Sequence, residues 1–232
     1  MNRLEAVLQN SVYPGRGIIL GTTSDETSMV IAYFITGRSD NSRNRVLELD
    51  NKAVRTKAFD ESKLIDPSLI IYYPVRICGN IYIITNGDQT DTICQYIREG
   101  HSFENALRTR TYEPDTPLFT PRISGIMDLA DGSYHLAILK NEQDECLRFF
   151  YEYPAKKGIA RYISTYIGDE LSPEPFIGEP YLVSVEDNID DMTSLIWNNL
   201  DERFRVSLFV RYIDCSTKEI TTRIINKNLS EQ

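Results

Sequence analysis

The sequence predicts an α+β domain with largely antiparallel sheets. Short runs rich in β-branched and aromatic residues recur between turn residues, neighbouring runs are joined as hairpins, and only a few segments carry a helical period. Roughly ten strands and three or four helices result, enough for two stacked sheets with helices covering the outside.

The elements follow in order. Residues 3–9 form a short helix or leading arm within 1–12. RGIILGTT (16–23) and TSMVIAYFIT (27–36) are strands joined by Ser24-Asp25-Glu26. GRSDNSRNR (37–45) has no apolar residue and is a loop, and RVLELD and AVRTKAF form a hairpin around Asp50-Asn51. A strand carrying Tyr72 and Arg76 turns at Gly79-Asn80 into IYIIT, since such a two-residue loop suits a primed hairpin turn. The polar loop Asn86 to Asp91 then leads into a helix from Thr90, with Ile93 and Ile97 on one face and Gly100 as terminator. Ser102 caps a second helix. Three prolines make 112–122 a loop or extended chain. Strands resume with ISGIMDL, SYHLAIL, CLRFFYEY and ARYISTYI, and SPEPFIGEP (172–180) is a loop within the domain. Asp187 or Asn188 caps a helix with Ile189, Met192, Ile196 and Leu200 in period, and RFRVSLFVRYI and EITTRII close the chain. One domain over 1–232 accommodates all of this.

A net charge of −9 opposes a nucleic-acid or anionic-membrane surface but not a small anion held by local arginines. No apolar run reaches the ~20 residues of a membrane span, and MNRLEAVLQN lacks the apolar stretch of a signal peptide, so a cytoplasmic location is expected. Cys78, Cys94, Cys146 and Cys215 are widely spaced, as are the two histidines; no metal site is expected, and the cysteines read as small buried apolar residues. No Walker loop, dinucleotide fingerprint, G-x-S-x-G or H-E-x-x-H occurs.

Five polar clusters stand at strand ends or in loops: 13–16, Arg38 to Arg45, Tyr72 with Arg76, Asn86 to Asp91, and Tyr112-Glu113 with Arg122. Arginine recurs in four of them, and a guanidinium can grip phosphate or carboxylate with paired hydrogen bonds. The Asn86–Asp91 loop is either an anion site at a helix start or an ordinary capped turn. Glu113 is either a buried acid–base group or an exposed charge, and Tyr72 either a catalytic phenol or core.

The ordered set YPGRG, GRSDNSRNR, YYPVR, TNGDQTDTI, YEPDTP with TPRISG, and YISTY resembles the archaeal-type IMP cyclohydrolase family from Tyr13 to Tyr166. The resemblance implies a four-layer α-β-β-α sandwich like the N-terminal-nucleophile hydrolases, without their nucleophile, since Met1-Asn2 supplies none. It implies dehydrative ring closure of 5-formamidoimidazole-4-carboxamide ribotide to IMP, with no cofactor and a purine ribonucleotide as the small-molecule partner. Tyr72, Glu113 and Arg45 take the catalytic positions. Arg16, Arg38, Arg43, Arg76, Asn86, Gly87, Thr90, Asp91 and Arg122 are the substrate-binding candidates. Arg43 competes with Arg45 for one family arginine, and Gln89 replaces a family histidine, so a nucleotide-binding relative with lost or altered activity is the alternative. A homo-oligomer is expected of a compact enzyme.

Overall fold

The computed structural model describes residues 2–64, 67 and 70–230. The chain opens with α1 (Leu4–Gln9), β1 (Arg16–Thr22), β2 (Ser28–Thr36), α2 (Asp40–Arg43), β3 (Val46–Asp50) and β4 (Ala53–Lys57). A 3-10 turn (Glu61–Lys63) precedes β5 (Val75–Cys78), β6 (Ile81–Thr85), α3 (Gln89–Arg98) and α4 (Phe103–Arg108). Next come β7 (Arg122–Asp128), β8 (Tyr134–Glu142), β9 (Glu145–Tyr153), β10 (Ile159–Ser164), β11 (Tyr166–Ile167), β12 (Glu174–Pro175) and β13 (Tyr181–Ser184). The chain closes with α5 (Ile189–Asn199), β14 (Arg205–Asp214), β15 (Ile220–Asn226) and α6 (Lys227–Ser230).

Two large antiparallel sheets dominate. One has six strands in the order β13-β10-β1-β2-β14-β15; the other is a seven-stranded meander from β3 to β9. Strand alternation explains why the central strands read as unbroken apolar runs. Along β2, Met29, Ile31, Tyr33 and Ile35 enter a core shared with Tyr82, Ile84, Ile123 and Leu136 of the other sheet. The intervening Val30, Ala32 and Phe34 pack with Leu4 and Leu8 of α1 and Met192 and Ile196 of α5. In the meander, Ile83, Ala137 and Leu139 pack with Ile93 of α3 and Phe103 and Leu107 of α4. Each such apolar side chain contributes roughly 1.5–3 kcal/mol on full burial, so the fold can tolerate a few costly polar groups elsewhere. No described helix is long and apolar enough to cross a membrane.

Capping follows local chemistry. Ser102 accepts from Asn105 N, Asn188 accepts from Asp190 N and Asp191 N, and Gly100 ends α3 at φ +80°. Four expectations need correction. Part of 37–45 is helical: Ser39 and Ser42 exchange capping-box bonds and close the single turn of α2. Tyr72 lies outside the strand, which begins at Val75 because Pro74 has no N–H for a ladder. The cysteines differ: buried Cys78 and Cys94 are disulfide-bonded with Cα atoms 5.7 Å apart, because the β5–β6 turn brings α3 over β5, while Cys146 and Cys215 are only half-buried. The 172–180 stretch is not plain loop. Its β12 pairs with β11, and Phe176 is buried in the core between the sheets.

Candidate active site

Strand polarity builds the site. In the register of the two sheets, the start of β1 lies beside the ends of β2 and β10, and the end of β6 lies beside the start of β7. The loops leaving these ends enclose a cavity of about 270 Å³, lined among others by Tyr13, Arg16, Arg38, Arg45, Asn86 and Glu113. Six separate segments contribute, which is why no single motif announces the site.

Arg16 shares the inward parity of Ile18 and Leu20. Its Nη1 donates to Thr36 O (2.7 Å), and its backbone N donates to Thr165 Oγ1 (3.0 Å). Gly15 allows this entry at φ +70°; a Cβ there would come within 2.8 Å of the Tyr166 ring. Arg45 is buried, and its Nε and Nη1 have no hydrogen-bond partner among the described residues. A buried guanidinium N–H left unmatched is costly, so a side chain kept in this state is poised for an acceptor from outside the chain. Burial, followed by repulsion from Arg16, lowers the Arg45 pKa. Burial also opposes the charge on Arg16, but Tyr72, Tyr33, Tyr13 and Glu113 outweigh it and its pKa rises. Arg43 is exposed and turned elsewhere, with Nε donating to Gly37 O and its guanidinium over Phe204. The arginine that enters the cavity wall is therefore Arg45.

Glu113 is buried, its backbone N–H held by Thr120 O at 2.9 Å. Among the described residues nothing donates a hydrogen bond to its carboxylate, and Arg122 Nη1 approaches only to 4.0 Å. Burial pushes the Glu113 pKa up to about 7 against the pull of Arg122, Arg16 and Arg45, with Asp115 adding repulsion. The exposed-charge alternative is thus overturned. A carboxyl with this pKa can give and take protons near neutrality.

Tyr72 is buried too. Its backbone is latched to β4 through Thr56, and its hydroxyl lies 2.8 Å from that of Tyr33, beside Arg16 and Arg45. Burial, then the neighbouring Tyr72, raises the Tyr33 pKa well above the usual phenol value.

Asn86 lines the cavity and is fixed by bonds to Pro121 O and from Ile123 N. Arg122 points toward the start of α3, where Nη1 donates to Gln89 Oε1 (2.6 Å) and forms an ion pair with Asp88 Oδ1 (2.8 Å). Gly87 packs against this group; a Cβ would meet Arg122 Nη1 at 2.5 Å and Gln89 Oε1 at 2.7 Å. Gln89 is fully buried, and its Nε2 donates to Asn86 Oδ1 and Ile123 O, so it supports the site from behind. Arg38 lines the cavity and donates to Glu170 O.

Arg43, Thr90, Asp91 and Arg76 do not join the cavity, and Tyr72, Gly87 and Arg122 are not among the residues that line it. Thr90 spends its hydroxyl on Thr85 and Gly87 O. Asp91, one step of about 100° further round α3, is exposed and pairs with Arg76 at 2.5 Å. Arg76 faces the outer side of β5, stacked 3.8 Å over the Tyr73 ring. At this helix start Gly87 N–H goes to Thr85 Oγ1, and the N-cap Asp88 makes no side-chain cap bond.

Sequence reasoning missed Tyr33, Asp115 and Thr120. Thr120 gives both N–H and Oγ1 to Asp115 and meets the Tyr166 hydroxyl at 2.8 Å. Only the loop chemistry of Asp115 signalled this in advance. No group of three or more acidic, histidine or cysteine side chains suited to a metal occurs among the described residues.

The model of a family described as IMP cyclohydrolase-like protein matches residues 13–219, reaching well beyond Tyr166 through α5 and β14. A protein named IMP cyclohydrolase from Methanosphaera stadtmanae is 30% identical over 159 residues, 67% of this chain and 74% of its own length. One of the same name from Methanococcus aeolicus is 30% identical over 167 residues, 70% of this chain and 78% of its own.

Proposed function

The chain belongs to the IMP cyclohydrolase-like family, and from that membership and the cavity we propose that it closes the second purine ring, converting 5-formamidoimidazole-4-carboxamide ribotide to IMP and water. The observation that carries the reading is the buried Glu113, its pKa pushed up to about 7, beside Arg16 and an Arg45 whose Nε and Nη1 have no hydrogen-bond partner among the described residues.

The reaction is intramolecular, so holding the carboxamide against the formyl group supplies much of the acceleration. The carboxamide nitrogen attacks the formyl carbon and a C–N bond forms. Glu113 takes a proton from that nitrogen, and the former carbonyl oxygen takes one from the Tyr72 hydroxyl and becomes a hydroxyl itself. In the second half the formamido nitrogen returns a proton to the Tyr72 oxygen, the C–O bond breaks, and protonated Glu113 gives its proton to the hydroxyl, which leaves as water. Arg45 donates to the oxygen as negative charge grows on it, which is where unmatched buried donors act most strongly. The Tyr72 hydroxyl, coupled to Tyr33, is a second proton carrier. Arg16 and Asn86 orient the ring, with Gly87 and Arg122 supporting Glu113, and Arg38 at the rim meets the 5′-phosphate.

The finer architecture belongs to the same proposal: one domain, layered helix-sheet-sheet-helix in the manner of the N-terminal-nucleophile hydrolases, acting in the cytoplasm. The packing of α1 and α5 on one sheet and of α3 and α4 on the other supports the layer order. The alternative of an inactive nucleotide-binding relative drew on Gln89, and that residue lies behind the cavity with its amide fully used. An absorbance time course with the formamido ribotide tests the reading. Formation of IMP without added metal is the expected result; tight IMP binding without turnover would favour the inactive relative.

A further inference from the structure

The Arg122 guanidinium is held to one side of Glu113. Its Nη1 donates to Gln89 Oε1 at 2.6 Å and forms an ion pair with Asp88 Oδ1 at 2.8 Å. Glu113 Oε1 lies 4.0 Å from the same nitrogen. Asp88 is itself anchored by Arg110 Nη2 at 2.5 Å. Burial opposes the Asp88 charge, but Arg110 and Arg122 more than offset this and lower its pKa, so it remains an anion that holds the guanidinium. Gly87 leaves room for the arrangement, since a side chain there would strike Arg122, Gln89 and Glu113 together.

We propose that Asp88 and Gln89 are positioning residues that draw the Arg122 guanidinium away from the Glu113 carboxylate and so keep that carboxylate able to exchange its proton. A direct hydrogen-bonded pair would hold Glu113 as a fixed anion, because a donated, charge-assisted bond favours the ionised carboxylate beyond the pull Arg122 already exerts from 4.0 Å. The other charged groups facing Glu113 are Arg16 on β1, Arg45 ahead of β3 and Asp115 on its own loop. None of these is tied to Asp88, so the substitution below changes one relation. The inference rests on the reading of Glu113 as the proton carrier.

The test is the carboxyl titration of Glu113, followed by carbon NMR in glutamate-labelled protein and assigned by its loss in Glu113→Gln. It needs no substrate, so it stays interpretable if the proposed reaction fails, and the pH profile of turnover then tests that reaction separately. In Asp88→Ala the guanidinium, released from its ion pair, turns to Glu113, and the midpoint moves down by about 1–3 pH units. Asp88→Ser serves the same purpose should the alanine variant fold poorly. Asp88→Asn keeps an acceptor for Arg122 and leaves the midpoint near that of the parent. Adding Arg122→Gln to Asp88→Ala returns the midpoint to the parent value or above. An unchanged midpoint in Asp88→Ala, or a shift in Asp88→Asn as large as in Asp88→Ala, would overturn the proposal.

Discussion

Two buried arginines stand at opposite ends of the core between the sheets. Arg211 is 2% exposed, and its Nε and Nη1 donate to Thr222 Oγ1 and Lys52 O, with Phe209 and Tyr82 rings beneath the guanidinium. Arg45 is 3% exposed, and its Nε and Nη1 donate to nothing among the described residues. Burial is equal, so burial alone marks neither as functional. Hydrogen-bond satisfaction separates them: Arg211 is part of the scaffold, and Arg45 awaits an acceptor. Beside Arg45 stands Glu113, a carboxyl equally short of donors.

The strongest way to break this contrast is at Glu113. Glu113→Gln keeps the shape and removes the titration, so turnover of the formamido ribotide falls on the order of 10²–10⁴-fold while IMP affinity changes little. Steady-state kinetics beside equilibrium binding checks this. At the other end, Arg211→Ala removes packing and satisfied bonds together. Urea denaturation should show a loss of roughly 2–5 kcal/mol, with turnover per folded molecule unchanged.

Glu113 also links the site to stability. Its folded pKa of about 7 exceeds the ordinary 4.5, so its contribution is fully present below pH 4.5 and is lost as pH rises through 7. At one pKa unit per 1.36 kcal/mol, that loss is about 3 kcal/mol. Glu113→Gln should therefore be more stable than the parent at pH 8 by about that amount, and equal to it near pH 4, in paired denaturation curves. The smallest effect expected is that of Arg45→Met. Catalytic efficiency falls about 10–100-fold through loss of one charge-assisted contact, while stability holds or rises because a costly buried charge is gone.

Much of the fold was legible because local chemistry and tertiary structure agree. Gly79-Asn80 turned where expected, Ser102 and Asn188 capped, and the apolar runs became strands buried on both faces. The site was legible in part. Arg16, Arg45, Asn86 and Glu113 line one cavity, whereas Arg76 and Asp91 find each other on the outer face. Sequence proximity placed the latter two near the site, but strand parity and helix rotation turned them away. Tyr33 was hidden as one more aromatic in an apolar strand, and only its contact with Tyr72 distinguishes it. The Cys78–Cys94 pairing depended on α3 crossing β5, a tertiary fact no spacing rule supplies.

The most direct test of the account is a crystal structure with IMP bound. IMP should lie in the Arg45–Glu113 cavity, with an IMP oxygen accepting from Arg45 and the purine ring against Glu113. IMP at the opposite end instead, in the cavity lined by Lys52, Tyr82 and Ile213, with Arg45 still unpartnered, would contradict it.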